Sequence, residues 1–516
     1  MEPRHLVCYP FRIADSNYPQ ITLAVPIDNR VPRGEFECIG VMLLHDDGSE
    51  IKQGGMMKNE GGAVVAIAHT KEKHRSQERV LALVEAALLE IGGISQFIPP
   101  GATVLIKPNQ TVYYSAEEGC TTDPLVVGAL IRLCKEAKAR RVIVAESSGG
   151  FFNSLECMKI TGMAAVAKKE GAELIDLGSD DVPNRTVQIP DGRVVNHAPL
   201  PTPLLNADVI INVPKAKNHH IEPISGALKN WVGAVNQNWR EHNHGDEDMI
   251  GRFMDIMTVT RPTLCVVDAL ICGEGDGPIA NVPRWCGCIL ASTDPVATDV
   301  AIARLLQRDW RKLEFAREAE ERGLGVREPI EFRGVPIDEV SFPAWPGHEG
   351  FDYLPINFIV GKKVTLAGTI GHVKSVLDSM LARGDLNKVI WARGTPTIMI
   401  GEADDPAFEE HLKEGPYVVF DDSAKPQYKN DSRVYFIPGH PVLRNAMPEL
   451  MKGLGVQMPG KAIMKWEQFE RRTRHRLQYG STKTKALTLA KPVAALGALA
   501  LGLAAIGSLL TRPRSP

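Results

Sequence analysis

The chain has 516 residues, 44% of them hydrophobic and 23% charged, with 59 Lys and Arg against 62 Asp and Glu and a formal net charge of −3. That length holds two to four domains with ample chain for a large core. The cations are dispersed among nearly as many acids and form no aromatic-studded basic stripe, so no nucleic acid partner is expected. The nine cysteines are scattered without a C-x-x-C pair, which opposes a disulfide framework and a zinc knuckle alike. Cys286 and Cys288 fall on one face of a strand and read as core thiols, and reduced thiols fit a cytoplasmic body.

Residues 1–62 read as a β-rich N-terminal extension, with strand-like runs at 21–25 (ITLAV) and 38–44 (CIGVMLL) separated by Pro and Gly turns. The first twenty residues carry Arg4, Arg12 and Asp15 and no apolar stretch, so a secretory signal is not expected there. From residue 63 to 342 strand and helix patterns alternate, which is the signature of a mainly parallel α/β sheet. A strand at 64–68 precedes a helix whose face is Val80, Val84, Leu88 and Ile91. The strand 103–106 (TVLI) delivers Lys107 and Asn109. Asp123 caps a helix that Pro124 opens, since proline is tolerated at the first helical position. The strand 142–145 delivers Glu146 and Ser147, and a helix closing at Gly171 leads to a strand at 173–177.

The organising stretch follows. Residues 209–213 (VIINV) form a continuous β-branched run, as expected of a strand buried on both faces, and Pro214 is expected to end it. Behind it come Lys215, Lys217, Asn218, His219, His220, Ser225, Lys229 and Asn230, too many donors for a core segment, since buried lysine and histidine are costly without partners. A solvated loop has the same composition. Ser225 is expected to cap a helix whose free N–H groups face an anion, with Lys229 and Asn230 one turn further on. The strand 264–267 then delivers Asp268 and a glycine-rich loop with Glu274, and the strand 289–291 leads to Asp294 at the head of a helix. If these strands are parallel, their polar ends converge on one rim, where open α/β sheets bind ligands.

Six motifs carry a resemblance: IKPN (106–109), TTDP (121–124), the Glu146-Ser147 turn, PKAKNHH with SGALKN (214–220 and 225–230), GEGDGP (273–278) and DPVATD (294–299). Over residues 64–306 the chain resembles the widespread prokaryotic domain of unknown function 362. Many members look like fusions to ferredoxin-type iron–sulfur modules; this chain lacks the clustered cysteines, so no iron–sulfur cluster and no electron-transfer role are expected of it. More distantly, His219 and Lys229, ten residues apart around a Ser-Gly-Ala turn, resemble the His and cofactor-bearing Lys of the nickel-pincer lactate racemases. That resemblance implies a lysine holding the pincer nucleotide and histidines that ligate nickel or move protons. The paired histidines of the racemases have no counterpart upstream.

Residues 343–356 read as a Pro-rich linker and 357–460 as a second α/β domain. In it, 364–367 (VTLA) and a following turn and helix (face Val373, Val376, Leu377, Met380) precede strands at 397–400, 417–420 and 434–437. His372 and His440 are expected across a cleft from the first domain. A loop holding His242, His244, Asp246 and Asp248 suits a divalent metal, and suits solvent as well. A basic juxtamembrane segment, 461–491, leads to an uncharged run within 492–511 that is just long enough to span a bilayer. The positive-inside rule then keeps the body cytoplasmic, on a single-pass C-terminal anchor at the cell membrane. Gly497, Gly502 and Gly507 let two such helices pack closely, and a homodimer is a further expectation.

The combined expectation is a two-domain α/β protein with a C-terminal transmembrane helix, acting as an enzyme on a small anionic metabolite or cofactor precursor. Lys107, Asn109, Ser147, Lys215, Lys217, Ser225 and Asn230 hold the anion, and His219, His220 and Lys229 form the catalytic set, a histidine being the general base. Glu146, Asp268, Glu274 and Asp294 are candidate ligands for a divalent metal. The alternatives are a non-catalytic metal or cofactor carrier for a membrane complex, and a nickel-pincer-type racemase or epimerase.

Overall fold

The computed structural model describes residues 6–10, 22–26, 62–149, 152–220, 222–243, 248–365, 368–439 and 443–456. The strand expected at 38–44, His244, Asp246, His440 and the segments 461–491 and 492–511 lie outside the described residues. Among the described residues, no helix is long and apolar enough to cross a membrane. The chain forms two compact units, residues 1–58 and 59–516. In the first, β1 (Leu6–Pro10) and β2 (Thr22–Pro26) pair antiparallel.

In the second unit, in chain order, come β3 (Ala63–His69), β4 (Thr103–Pro108), β5 (Arg141–Glu146), β6 (Glu173–Asp176), β7 (Asn184–Gln188), β8 (His197–Pro201), β9 (Val209–Val213), β10 (Lys215–Lys217), β11 (Leu264–Asp276), β12 (Ala280–Ser292) and β13 (Ile330–Gly334). The main sheet runs β13-β3-β12-β11-β9-β4-β5-β6, with β10 also on β11; β7 and β8 form a separate antiparallel pair. Strand β12 alone runs against its neighbours, and every other pairing of the main sheet is parallel. The reason lies in the apolar runs. Because successive side chains of a strand point to opposite faces, Val104, Ile106, Val209, Ile211 and Val266 feed one core while Leu105, Ile210 and Val267 feed the other. The helices Gln77–Leu89 and Pro124–Glu136 cover the first of these faces, the latter capped by Asp123, whose carboxylate accepts from Leu125 N at 2.9 Å.

Three expectations change here. Pro214 does not end the organising strand. It interrupts one rung, accepts from Asp268 N at 2.9 Å, and the chain resumes as β10 beside β11 (Lys215 opposite Asp268, Lys217 opposite Gly273). The GEGDGP stretch is not a rim loop either: β11 continues through Asp276 and folds back on β12, so Glu274 sits in an antiparallel ladder opposite Val282. The strand expected at 364–367 is replaced by an earlier one, β14 (Asn357–Val360); Val364 and Thr365 are outside any strand.

With β15 (Thr397–Ile400), β16 (Tyr417–Phe420) and β17 (Tyr435–Ile437), β14 makes a four-stranded parallel sheet. The helix Gly368–Ala382 gives Val373, Val376, Leu377 and Met380 to the core of that sheet. Its polar stripe, His372, Ser375 and Ser379, is buried as well. Those positions share a face by helical spacing. Ser379 Oγ lies 2.8 Å from Tyr114 Oη, and Arg383 donates to Tyr113 and Tyr114 at 3.0 and 2.9 Å. The second sheet is thereby docked against the carboxyl ends of the first.

Candidate functional site

Four lysines meet at the carboxyl ends of β4, β9 and β10, and they have different fates. Lys107 is fully buried and donates to both oxygens of Glu146 at 2.9 and 3.0 Å. Glu146 also accepts from the backbone of Gln110 at 3.1 Å and Ser147 at 2.8 Å, so its lone pairs are occupied. Burial pushes the Lys107 amine down and the Glu146 carboxyl up, each opposed by its partner. Lys215 is paired at 2.8 Å with Asp268, both side chains closed to solvent, and Asp268 further accepts from Asp123 N and Leu270 N. Lys217 donates to Asn109 Oδ1 at 3.0 Å and Pro278 O at 3.2 Å, and to Cys120 O. Burial, reinforced by the charges of Lys215 and Lys229, brings its amine down to about 8. These three lysines were expected to bind an anion; the structure spends their donors inside the fold, as a buried cation requires.

From Lys217 a directed relay of amides crosses the site. Asn109 Nδ2 donates to Asn230 Oδ1 at 3.0 Å, Asn230 Nδ2 to Asn212 Oδ1 at 2.8 Å, and Asn212 Nδ2 to Ala227 O at 2.8 Å. Each side chain both accepts and donates, and such chains polarise one another. The relay ties the ends of β4, β9 and β10 to the short helix Ala227–Asn230, which carries Lys229. The N–H groups of that helix are not open to a ligand as expected. The buried Asp299 carboxylate takes the N–H groups of Ala227 and Leu228, and burial raises its carboxyl to about 8. Gly226, not Ser225, is the residue before the helix; a Cβ there would lie 2.1 Å from Asp299 Oδ1, so only glycine fits. Ser225 bonds its N–H to Lys217 O at 2.7 Å instead.

Lys229 remains. It lines a cavity of about 150 Å³ with Asn109, Glu146, Ser147, His219, His220, Ser225 and Asn230. The second sheet contributes His372, Ser375 and Val376 to the same wall. Among the described residues, no hydrogen-bond or ion-pair partner reaches the Lys229 amine; it sits 5.2 Å from the face of Phe315. Burial pushes it down to about 8, and nearby Glu222, itself raised by burial to about 7, works against that fall. His220 stacks on His219 with ring centroids 4.6 Å apart. Its Nδ1 is 3.0 Å from Gly277 O and 3.2 Å from Ser375 Oγ. A carbonyl only accepts, so Nδ1 carries the proton and Nε2 is bare. Nε2 is buried and has no partner. Burial, helped by the charges of Lys229 and Lys374, pushes the ring down to about 4, so it is neutral at working pH.

The four carboxylates read as metal ligands do not converge. Glu146 and Asp268 serve lysines, Asp294 caps the helix Pro295–Leu305 through Val296 N and Ala297 N at 2.8 Å, and Glu274 accepts from Trp345 N at 3.1 Å. Among the described residues, no three His, Cys, Asp or Glu are placed to hold a metal. Sequence reasoning missed Arg240 and Glu241 in the wall. Arg240 is buried and bonds Ser147 O at 2.6 Å, Ser147 Oγ at 2.8 Å and Ser148 O at 2.6 Å. The run QNWREH gave no cue, since a charged pair in a short helix usually faces solvent.

An open α/β sheet with a small, largely apolar cavity holding a few polar groups beyond its strand ends, walled on one side by a second parallel sheet, defines a ligand-site architecture rather than a reaction. Residues 104–304 match the family model described as a domain of unknown function, DUF362. The thylakoid-associated protein sll1697 of Synechocystis is 30% identical over 242 residues, which cover 45% of this chain and 71% of that protein. The chain belongs to the DUF362 family. A crystal structure of a Thermotoga maritima protein aligns over 67% of this chain and 76% of its own, at 11% identity and a TM-score of 0.29, too low to carry an argument.

Proposed function

We propose that this protein is an enzyme that moves a proton on a small anionic metabolite bound in the cavity, with the body held at the cytoplasmic face of a membrane. The observation that carries the reading is His220: one ring nitrogen fixed as donor by Gly277 O, the other bare, buried and unmatched. Buried polar atoms are nearly always paired, so an orphan beside a cavity marks a place where a ligand completes the structure. The cavity volume of about 150 Å³ suits a small ligand. Arg240 in its wall favours negative charge, including charge that develops on the ligand as its proton leaves. Nε2 is closed to solvent, and the His220 ring stacks on His219. Membrane association is supported by the thylakoid-associated relative and by the uncharged run within 492–511.

The test is exchange of carbon-bound hydrogen for deuterium in a set of small hydroxy and keto acids, followed by proton NMR with the full chain in D₂O. Catalysed exchange is expected, falling by about 10²- to 10⁴-fold in His220→Gln, the range typical for a lost general base. The rival reading is a non-catalytic metal or cofactor carrier for a membrane complex. A carrier shows a stoichiometric bound mass in native mass spectrometry of anaerobically purified protein, no exchange, and no change on His220→Gln.

A further inference from the structure

Lys229 is the unexplained group of this site. Three neighbouring lysines are paired with carboxylates or carbonyls, whereas the Lys229 amine reaches the same cavity with only an aromatic face beside it. A permanent cation in that position gains little, because an unpaired ammonium is costly away from water. A neutral amine there costs less, and a neutral amine is a nucleophile. We propose that the cavity takes a small carbonyl compound, an aldehyde or keto acid, and that Lys229 captures it as an imine beside the bare nitrogen of His220. This rests on reading the cavity as an active site and names the substrate class of that site.

The steps balance without an oxidant or a second reactant. The Lys229 Nζ lone pair bonds to the carbonyl carbon, the C=O π pair moves to oxygen, and the oxygen takes up the proton that nitrogen sheds. Nitrogen then forms the C=N bond as the C–O bond breaks, and the oxygen leaves as water after taking back the proton that the Lys229 ammonium gave to solvent on becoming the neutral amine. In sum, an ammonium and a carbonyl become a protonated imine and one water. The protonated imine is an electron sink: His220 Nε2 takes a proton from the adjacent carbon, that C–H pair becomes a C=C bond, and the C=N pair returns to Nζ. The sink answers a difficulty of the site. His220, pushed down to about 4 by burial, is wholly in its base form near neutrality but is a weak base, and a weak base needs an acidified carbon. Burial that brings Lys229 to about 8 supplies the neutral amine for the first step, as in other desolvated nucleophilic lysines. Glu222 keeps it from falling further.

The experiment is reductive trapping on the full chain. The protein is incubated with pyruvate and, separately, with dihydroxyacetone, each followed by sodium borohydride, intact mass measurement and peptide mapping. The expected result is one reduced adduct per chain, on Lys229, with at least one of the probes; the adduct is absent in Lys229→Arg and forms faster as pH rises toward 8. Equal labelling of Lys229 and exposed lysines such as Lys71 and Lys138, or no label on Lys229 with either probe, overturns the imine. If His220-dependent deuterium exchange is then still seen, the proton-transfer reading stands without it; if exchange is also absent, both fall. A urea melt of Lys229→Arg matching the unaltered protein excludes loss of label through unfolding.

Discussion

Lys107 and Lys229 lie against the same cavity wall, one through the carboxylate it holds and the other directly, and the contrast between them separates scaffold from chemistry. Lys107 is closed off, bidentate on Glu146, and that carboxylate is in turn filled by two backbone N–H groups. Lys215 and Asp268 repeat the arrangement on β10 and β11. Lys229, half-buried in the cavity wall, has no such partner among the described residues. Proximity to a pocket is thus a poor guide to function; what distinguishes a working group is a need the fold leaves unmet.

The sharpest way to break this comparison is to remove each amine. Lys107→Met or Lys215→Met leaves a buried carboxylate without its cation, and each is expected to destabilise by about 3–5 kcal/mol. Lys229→Met removes a group whose charged form the fold disfavours, so stability is expected to hold within about 1 kcal/mol or to rise, while turnover is lost. Urea midpoints of the three variants test this. A large loss of stability in Lys229→Met would make that lysine scaffold like the others.

A smaller effect comes with pH. His220 in the folded chain lies near 4, below its ordinary 6.5, so between those values the unfolded chain binds the extra proton and stability rises with pH. The gap corresponds to at most about 3 kcal/mol, fully lost by pH 4. Glu222, raised to about 7, acts in the opposite sense over an overlapping window, because there it is the folded chain that keeps its proton. The measurement is therefore the difference between the unaltered protein and His220→Gln in urea titrations from pH 7 to 4. The variant is expected to gain relative stability as pH falls.

Much of this architecture was legible in the chain. The runs 103–106, 142–145 and 209–213 are continuous because those strands are covered on both faces, and each proved to be a central strand. Asp123 with Pro124 announced its helix. Of the candidate site, His219, His220, Lys229, Ser225, Asn230, Asn109, Ser147 and Glu146 do line one cavity. What the sequence could not reveal was pairing at long range: Lys107 meets Glu146 across 39 residues and Lys215 meets Asp268 across 53, so lysines read as an anion-binding rim are core. His372, expected across a cleft from the first sheet, does line the cavity, while Ser375 and Ser379 on the same helical face gave no cue before the second sheet docks. Asp299, seventy-two residues from the backbone N–H it satisfies, closed a helix end that local spacing left open.

The smallest effect probes who holds His220. Gly277, in the turn that follows β11, supplies the carbonyl that fixes the Nδ1 proton, and Ser375 Oγ from the second sheet domain lies 3.2 Å from the same nitrogen. Ser375→Ala removes a weaker, shared contact and leaves the carbonyl in place. The tautomer should survive, with a cost of about 0.5–1 kcal/mol and a drop in proton exchange of no more than a few fold. The check is the ¹⁵N shift pattern of the His220 ring together with the exchange rate. Should Ser375→Ala cost as much exchange as His220→Gln, orientation of the base would belong to the helix that packs on the second sheet, and docking of the two sheets would then control whether the site can react at all.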